Sequence, residues 1–564
     1  MKGGVAVVPD RISGTTVQVI GIDEPDIVKT DGKEIYFSQS YLWWAWEGPM
    51  LREEIWPVPQ EGKTRVIKAF PPKDLAVEAS IDKQGDLLLV GNILVIFSGD
   101  RVYGYDVSHP VSPEKEWDIK LESGTFIVGA RLYKNKVYMV TQTSISVVDP
   151  GPIKPLSANG VPLTIDYREI YHPILPIPVD ATFVAMVLDP VSGEIEKDIS
   201  FVGPSASSIV YMSEKSIYVT YSYFESVTRF LPDFFREEAS DLIPSWLVAK
   251  LEKLEGYELS QQAKLTELQV LWQRYLNSLD RDERLRIENE IADRMADYYK
   301  KHIRDLERTG IIRITLDGFK LDASGNVPGR PLNQFALDEY NGYLRVATTV
   351  GEGFGFGFGV GGRVVSANDV YVLDQDLDIQ GTVQDLGLTE MIYSVRFIED
   401  KGYVVTFRET DPFYVLDLSN PQRPELKGEL KIPGYSSYLQ PIGKDRILGI
   451  GKEGWQVKIS LFDVSRAERP EELDKYMLNE SWSDVLQTHH AFLLDKEHDI
   501  FFLPGSKGGY VFSYEDDELE LTRAVSDISA RRAIYLDDYL YIIGDNKIVV
   551  LDEITWKKVE ELEF

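Results

Sequence analysis

Along the chain one phrase keeps returning at a nearly constant interval: an apolar strand, a tight polar turn, then a second strand rich in Ile, Val and Tyr. Clear copies are Asp31-Gly32-Lys33-Glu34-Ile35-Tyr36-Phe37, Lys134-Asn135-Lys136-Val137-Tyr138-Met139, Glu399-Asp400-Lys401-Gly402-Tyr403-Val404 and Asp537-Asp538-Tyr539-Leu540-Tyr541. Asp, Asn and Gly supply the positive-φ and Asx geometries that join antiparallel strands in a few residues. A third, alternating strand that closes on aspartate follows most copies, as in Val102-Tyr103-Gly104-Tyr105-Asp106, Ile145-Ser146-Val147-Val148-Asp149, Val370-Tyr371-Val372-Leu373-Asp374 and Phe413-Tyr414-Val415-Leu416-Asp417. These aspartates lie 43 residues apart from 106 to 149 and again from 374 to 417. A fourth, more polar strand completes each unit, as in Glu425-Leu426-Lys427-Gly428-Glu429-Leu430-Lys431.

Four antiparallel strands in ~45 residues make the blade of a β-propeller, where radial repetition leaves only short protected edges. Nine such units are counted. The first and ninth could share one blade by strand exchange, so the expected fold is an all-β propeller of eight to nine four-stranded blades. Separate β-sandwiches are the alternative, but they do not repeat one turn phrase so regularly.

The β pattern breaks in three places. From 233 to 308, Ile287, Ile291, Met295, Tyr298, His302 and Leu306 recur at steps of three and four amid charged residues, the stripe of an amphipathic helix. Residues 244–254 and 259–276 read likewise. The expected organisation is one propeller whose first part spans 1–232 and whose second spans 309–564, interrupted by an α-helical hairpin at 233–308. The proline-rich residues 150–179 read as an extended loop within the third blade. The glycine-rich residues 351–362 lack the Lys-[Ser/Thr] of a phosphate loop and read as a hairpin tip.

Charge changes the picture of partners. The 564 residues carry 60 Lys+Arg against 91 Asp+Glu, a net charge of −31, which repels phosphate backbones and excludes a generic nucleic-acid binder. The longest apolar window, residues 87–97, is about half the ~20 residues a membrane helix needs, so no membrane span is expected. Without cysteine there are no disulfides, thiolate metal sites or cysteine nucleophiles. The first residues offer too short an apolar run for a signal peptide, which leaves a cytoplasmic chain or one whose signal has been removed.

At this point residues 17–32, which contain Asp23-Glu24-Pro25-Asp26-Ile27-Val28-Lys29-Thr30-Asp31-Gly32, together with residues 332–349 and Ile392-Tyr393-Ser394-Val395-Arg396-Phe397, resemble a secreted β-propeller family of archaea and bacteria, distantly related to WD-repeat proteins. Phe407-Arg408, Asp411-Pro412 and Leu461-Phe462-Asp463-Val464 resemble it too. The resemblance implies a propeller fold and export to the cell surface or medium. It brings no catalytic residues to carry over. Where that family has Asp-His before an Ala-Phe strand, this chain has Thr488-His489-His490-Ala491-Phe492.

Propellers place function at the mouth of the central channel, on the loops that enter the innermost strands. Aligning the units on their turns brings Asp23, Glu24 and Asp26 into one ring with Asn333, Gln334, Tyr393, Gln440, His489 and Arg531. That ring is the candidate ligand site, for a small polar ligand or a cation. Trp43, Trp44 and Trp46 form a candidate aromatic platform for a glycan or protein partner, against a structural role in packing blades together. His489 and His490, adjacent on an expected strand, would point to opposite faces and not share an ion. No cofactor is expected. Asp374-Gln375-Asp376-Leu377-Asp378 alternates carboxylates as hard-cation loops do, but lacks the Gly and distal Glu of an EF-hand and reads as solvated turn acids, leaving a structural calcium ion open. The leading expectation is a non-enzymatic, exported binding or scaffold module with an unknown protein or glycan partner. The alternative is an extracellular polysaccharide hydrolase or lyase using the channel carboxylates.

Overall fold

A computed structural model describes residues 9–38, 62–146, 153–173, 177, 179–224, 227–351, 366–407 and 411–564. Trp43, Trp44 and Trp46 and most of the glycine-rich stretch lie outside the described residues.

The strands assemble into nine sheets in chain order, antiparallel but for one short edge strand among the described residues. A representative blade is the sixth: Met391–Ile398, Lys401–Phe407, Asp411–Asp417 and Glu425–Ile432, paired as consecutive neighbours. First strands of neighbouring blades touch one another, as Met391–Ile398 and Tyr435–Pro441 do, and lie innermost in the ring. Alternation explains why both faces of each inner strand are apolar. Within Lys401–Phe407, Val404 faces the fifth blade, while Tyr403 and Val405 face the seventh.

That sandwiching repeats around the ring. Among the described residues, every pair of consecutive blades shares one apolar cluster, from the first-second interface at Tyr36, Val66, Leu87 and Leu94 to the eighth-ninth interface at Phe502, Val511, Leu540 and Ile542. Closure follows the same rule. Ile35, Phe37 and Ile67 of the first blade pack directly on Tyr541, Ile543 and Val550 of the ninth. The ninth blade draws all four of its strands from Ala530–Leu536 to Lys558–Glu563, so no strand exchange is needed and nine blades close the ring. Each fully buried aliphatic or aromatic side chain at these seams contributes about 1.5–3 kcal/mol.

Two insertions depart from the simplest reading. In the third blade the third strand is Ala181–Leu188, which pairs with Lys136–Ser144 and is followed by Asp189; of the expected strand at 145–149, residues 147–149 lie outside the described residues. The intervening chain caps sheet edges on two blades. Leu156–Ala158 pairs with Glu114–Leu121, the outer strand of the second blade, and Ile170–Tyr171 runs parallel to Ile195–Gly203, the outer strand of the third.

The expected helical hairpin is a cluster of four helices: α1 (Val227–Glu237), α2 (Ser245–Glu255), α3 (Gln261–Leu276) and α4 (Arg281–Leu306). It interrupts the fourth blade between Ser216–Phe224 and Glu307–Thr315. Asp280 caps α4 by accepting from Asp282 and Glu283 amides. The helices own a separate core around Phe234, Trp272, Ile291 and Tyr298 that also takes in Val350 and Ala367 of the fifth blade. Arg304 of α4 pins it there through Asp369, at 2.7 Å.

Candidate functional site

The inner edges of nine first strands would leave a row of backbone N–H and C=O groups along a wide channel. The chain meets part of that need with its own N-terminal segment, which crosses the channel. Ile12 bridges Leu536 of the ninth blade, and the Thr16 hydroxyl donates to the Phe492 carbonyl at 2.5 Å beside the eighth. Gln18 donates to the carbonyls of Gln334 and Leu337, both at 2.9 Å, at the fifth. Asp23 and Leu132 exchange two backbone bonds at the third blade, and Asp26 and Leu87 do so at the second. Ile22 adds an apolar anchor at the seam of the third and fourth blades. The axis is therefore filled by a polar plug, rather than standing open.

This plug takes the three acidic residues away from the mouth. Asp23 pairs with the buried Lys29 at 2.7 Å. Asp26 is forked onto Arg532, with the closest contact at 2.6 Å. Glu24, only 4% exposed, accepts from Gln334 on both oxygens at 3.1 and 2.9 Å and from the Gln18 amide at 3.1 Å. Burial alone would raise Glu24, but Arg131, 3.9 Å away, and the hydrogen-bonding His489 outweigh it and hold the carboxyl well below the ordinary range. For Asp26, burial is likewise outweighed by Arg532. Asp86 reaches solvent, yet the protein atoms crowded around it and Asp26 nearby raise its carboxyl.

His489 and His490 do not lie on a strand. They sit in the 3-10 turn His489–Ala491, where successive side chains are not thrown to opposite faces, and their rings lie 4.0 Å apart. Both nitrogen tips approach Glu24 Oε2, His489 Nε2 at 3.2 Å and His490 Nε2 at 3.7 Å. Phe335 meets the His489 ring edge-on. Burial, with His489 alongside, pushes His490 down to about 4. His490 also lines an inner cavity of about 310 Å³ with Ser13, Thr15, Asp26, Lys29 and Arg532.

Above the plug is the mouth itself, on the side where the first strands begin. A cavity of about 690 Å³ is lined by Ser208 of the fourth blade's entry, Arg330 and Asn333 of the fifth, Tyr393 of the sixth, Tyr435 and Ser437 of the seventh, and Trp482 and Gln487 of the eighth. Trp482 also lines a neighbouring cavity of about 620 Å³, shared with Asp484, Ser506, Arg531 and Asp545. Arg531 is held there by Asp545 at 2.9 Å and Asp484 at 3.2 Å.

The sequence-selected ring thus divides. Glu24, Gln334 and His489 meet in the plug; Asn333 and Tyr393 line the mouth; Arg531 lines the adjoining cavity. Gln440 turns aside to Tyr438 and the Pro441 carbonyl. Asp374 accepts from the amides of Asp376 and Asp378, a self-contained turn. Missed from sequence were Lys29 and Arg131, charges set inside apolar strand runs, an interruption that signals a buried partner. Trp482 was missed because it lies in a loop with no repeat counterpart.

Two archaeal relatives align along almost the whole chain. An uncharacterized protein of Archaeoglobus fulgidus is 46% identical over 99% of this chain and 86% of its own, and one of Methanocaldococcus jannaschii is 36% identical over 99% and 84%. A solved structure titled as the eukaryotic initiation factor aligns with 89% of this chain and 93% of its own at 10% identity, with a TM-score of 0.42. A family model described as the beta propeller domain matches residues 12–555, which takes in the plug and all nine sheets except the outer strand of the ninth, Lys558–Glu563. The chain belongs to the β-propeller domain family.

Proposed function

We propose that this protein is a non-catalytic binding module, acting outside the cell, whose channel mouth takes a small polyhydroxylated ligand of the saccharide class. The observation that carries this reading is the mouth cavity of about 690 Å³, in which Tyr393, Tyr435 and Trp482 offer aromatic surface beside Ser208, Asn333, Ser437 and Gln487. Flat rings receive the C–H faces of sugars, while amides and hydroxyls exchange hydrogen bonds with the ring hydroxyls. Binding is favoured over hydrolysis because the channel acids are engaged elsewhere. Glu24 and Asp26 are both held ionised by cations, and although Asp86 is raised, its neighbour Asp26 is locked on Arg532 and is no free base. Export rests on the likeness to secreted propellers drawn from residues 17–32 and 332–349.

The test is a panel of mono- and oligosaccharides titrated against the full chain, read by tryptophan fluorescence and calorimetry. A saccharide should bind, and Asn333→Ala with Tyr393→Ala should weaken it by about tenfold or more. A panel without binders, or a double variant that binds as well as the parent, overturns the saccharide reading. Detection of the native protein in the cytosol but not at the cell surface or in the medium overturns export.

A further inference from the structure

We propose that Glu24, His489 and His490 form a binding site for a divalent transition-metal ion of the zinc class, set in the plug below the mouth and independent of the mouth ligand. One ligand atom from each residue lies within 4.8 Å of the others. The distances from Glu24 Oε2 to the two Nε2 atoms are 3.2 and 3.7 Å. In a tetrahedral zinc site with bonds of about 2.0–2.2 Å, neighbouring ligand atoms stand roughly 3.3–3.5 Å apart. The two carboxylate–imidazole separations bracket that spacing, and the two imidazole nitrogens lie within 4.8 Å of each other.

The hydrogen bonds around the cluster set its chemistry. His490 Nδ1 lies 2.8 Å from the Thr16 carbonyl oxygen. A carbonyl only accepts, so Nδ1 carries the hydrogen, and in the neutral ring Nε2 keeps a lone pair. That lone pair faces a carboxylate oxygen, an arrangement of two acceptors that a cation between them resolves. A backbone carbonyl holding the far nitrogen is also how ligating histidines are oriented in metal sites. His489 Nε2 now donates to Glu24; on metal binding its hydrogen moves to Nδ1 and Nε2 turns to the ion.

Glu24 is oriented for the task. The Gln18 amide donates to Oε1, Arg131 lies 3.9 Å from the same oxygen, and the Gln334 amide braces both oxygens, with Oε2 also facing the two histidines. Two imidazoles and one carboxylate suit zinc and its neighbours rather than calcium, which requires six to eight oxygens. A fourth ligand can be water from the inner cavity that His490 lines. The other described cluster of this kind, Asp495, His498 and Glu553, contrasts with it. There Arg11 already stands 2.7 Å from each carboxylate and fills the role of the cation.

The experiment uses the full chain, stripped with chelator and dialysed, then titrated with zinc by calorimetry and with cobalt(II) by visible absorption. One zinc per chain should bind, and cobalt should give the intense bands of a four-coordinate site. His489→Asn and His490→Asn should each weaken zinc by about tenfold or more and abolish those bands. The asparagine amide at 490 can still donate to Thr16, which preserves the fold. Glu429→Gln, exposed on the outer strand of the sixth blade, should bind zinc as the parent does. Absence of zinc binding by the parent, a six-coordinate cobalt spectrum, or unchanged affinity in both histidine variants overturns the site. Because the saccharide titration reads a different cavity, its failure and the failure of zinc binding are separately visible.

Discussion

Arg532 of the ninth blade grips Asp26 of the plug through three contacts of 2.6 to 3.0 Å, although 506 residues separate them in sequence. Both side chains are buried, and the pair joins the last blade to the segment that leads into the first. Breaking a buried pair leaves one uncompensated charge out of water. Arg532→Ala should therefore destabilise the protein by about 3–5 kcal/mol, measured by denaturant unfolding, whereas replacing both partners with apolar residues should cost less. Equal losses for the single and double variants would contradict this account.

Glu553 carries a pH signature. Its burial, with Asp495 alongside, pushes its carboxyl from 4.5 up to about 8 against the opposing pull of Arg11. His498 and Asp538 also border the group. The folded state thus holds a proton that the unfolded chain releases, so this contribution is full below pH 4.5 and lost as pH rises through 8. The slope is at most about 1.4 kcal/mol per pH unit. Glu553→Gln should flatten the fall in melting temperature between pH 5 and 9 and be more stable than the parent at the alkaline end. An unchanged profile would refute the assignment.

A close approach defines the next test. The ring of Trp117, whose Nε1 donates to the Pro190 carbonyl at 2.8 Å, lies against Gly104. A Cβ at 104 would stand 2.1 Å from the indole. Gly104→Ala should cost about 1–3 kcal/mol by overpacking, seen as a lowered melting temperature and a changed tryptophan emission. Stability equal to the parent would mean the indole moves freely.

Phe234 tests whether the helices stand apart from the ring energetically. It is fully buried between Phe235 and Tyr298. Phe234→Ala should cost about 3–5 kcal/mol within the insertion. Hydrogen exchange should then rise across 227–306 while amides of the eighth blade keep their protection. Uniform loss of protection would show one cooperative unit.

The nine blades were legible because period-two alternation and turn residues are local properties, repeated often enough to outweigh any one ambiguous copy. What pairs with what was not. Ile145-Ser146-Val147-Val148-Asp149 looks as much like a third strand as Ala181–Leu188 does, and only the sheet decides between them. Helix α1 escaped notice because Pro232 and three phenylalanines argue against a helix unless a packed core outweighs propensity. Glu24, Gln334 and His489 were singled out by their place in the repeat. Their use inside a plug could not be read, because residues 10–26 lie outside the repeated phrase and several of their partners, among them Phe492, Gln334 and Arg532, stand hundreds of residues away.

The plug also sets an order of events during synthesis. Residues 12 and 26 leave the ribosome more than 500 residues before Leu536 and Arg532, the groups they dock against. Asp26 can meet Leu87 of the second blade early, but its clasp on Arg532 and the bridge from Ile12 wait for the ninth sheet, so the closing of the ring and the final sealing of its axis become a single late act.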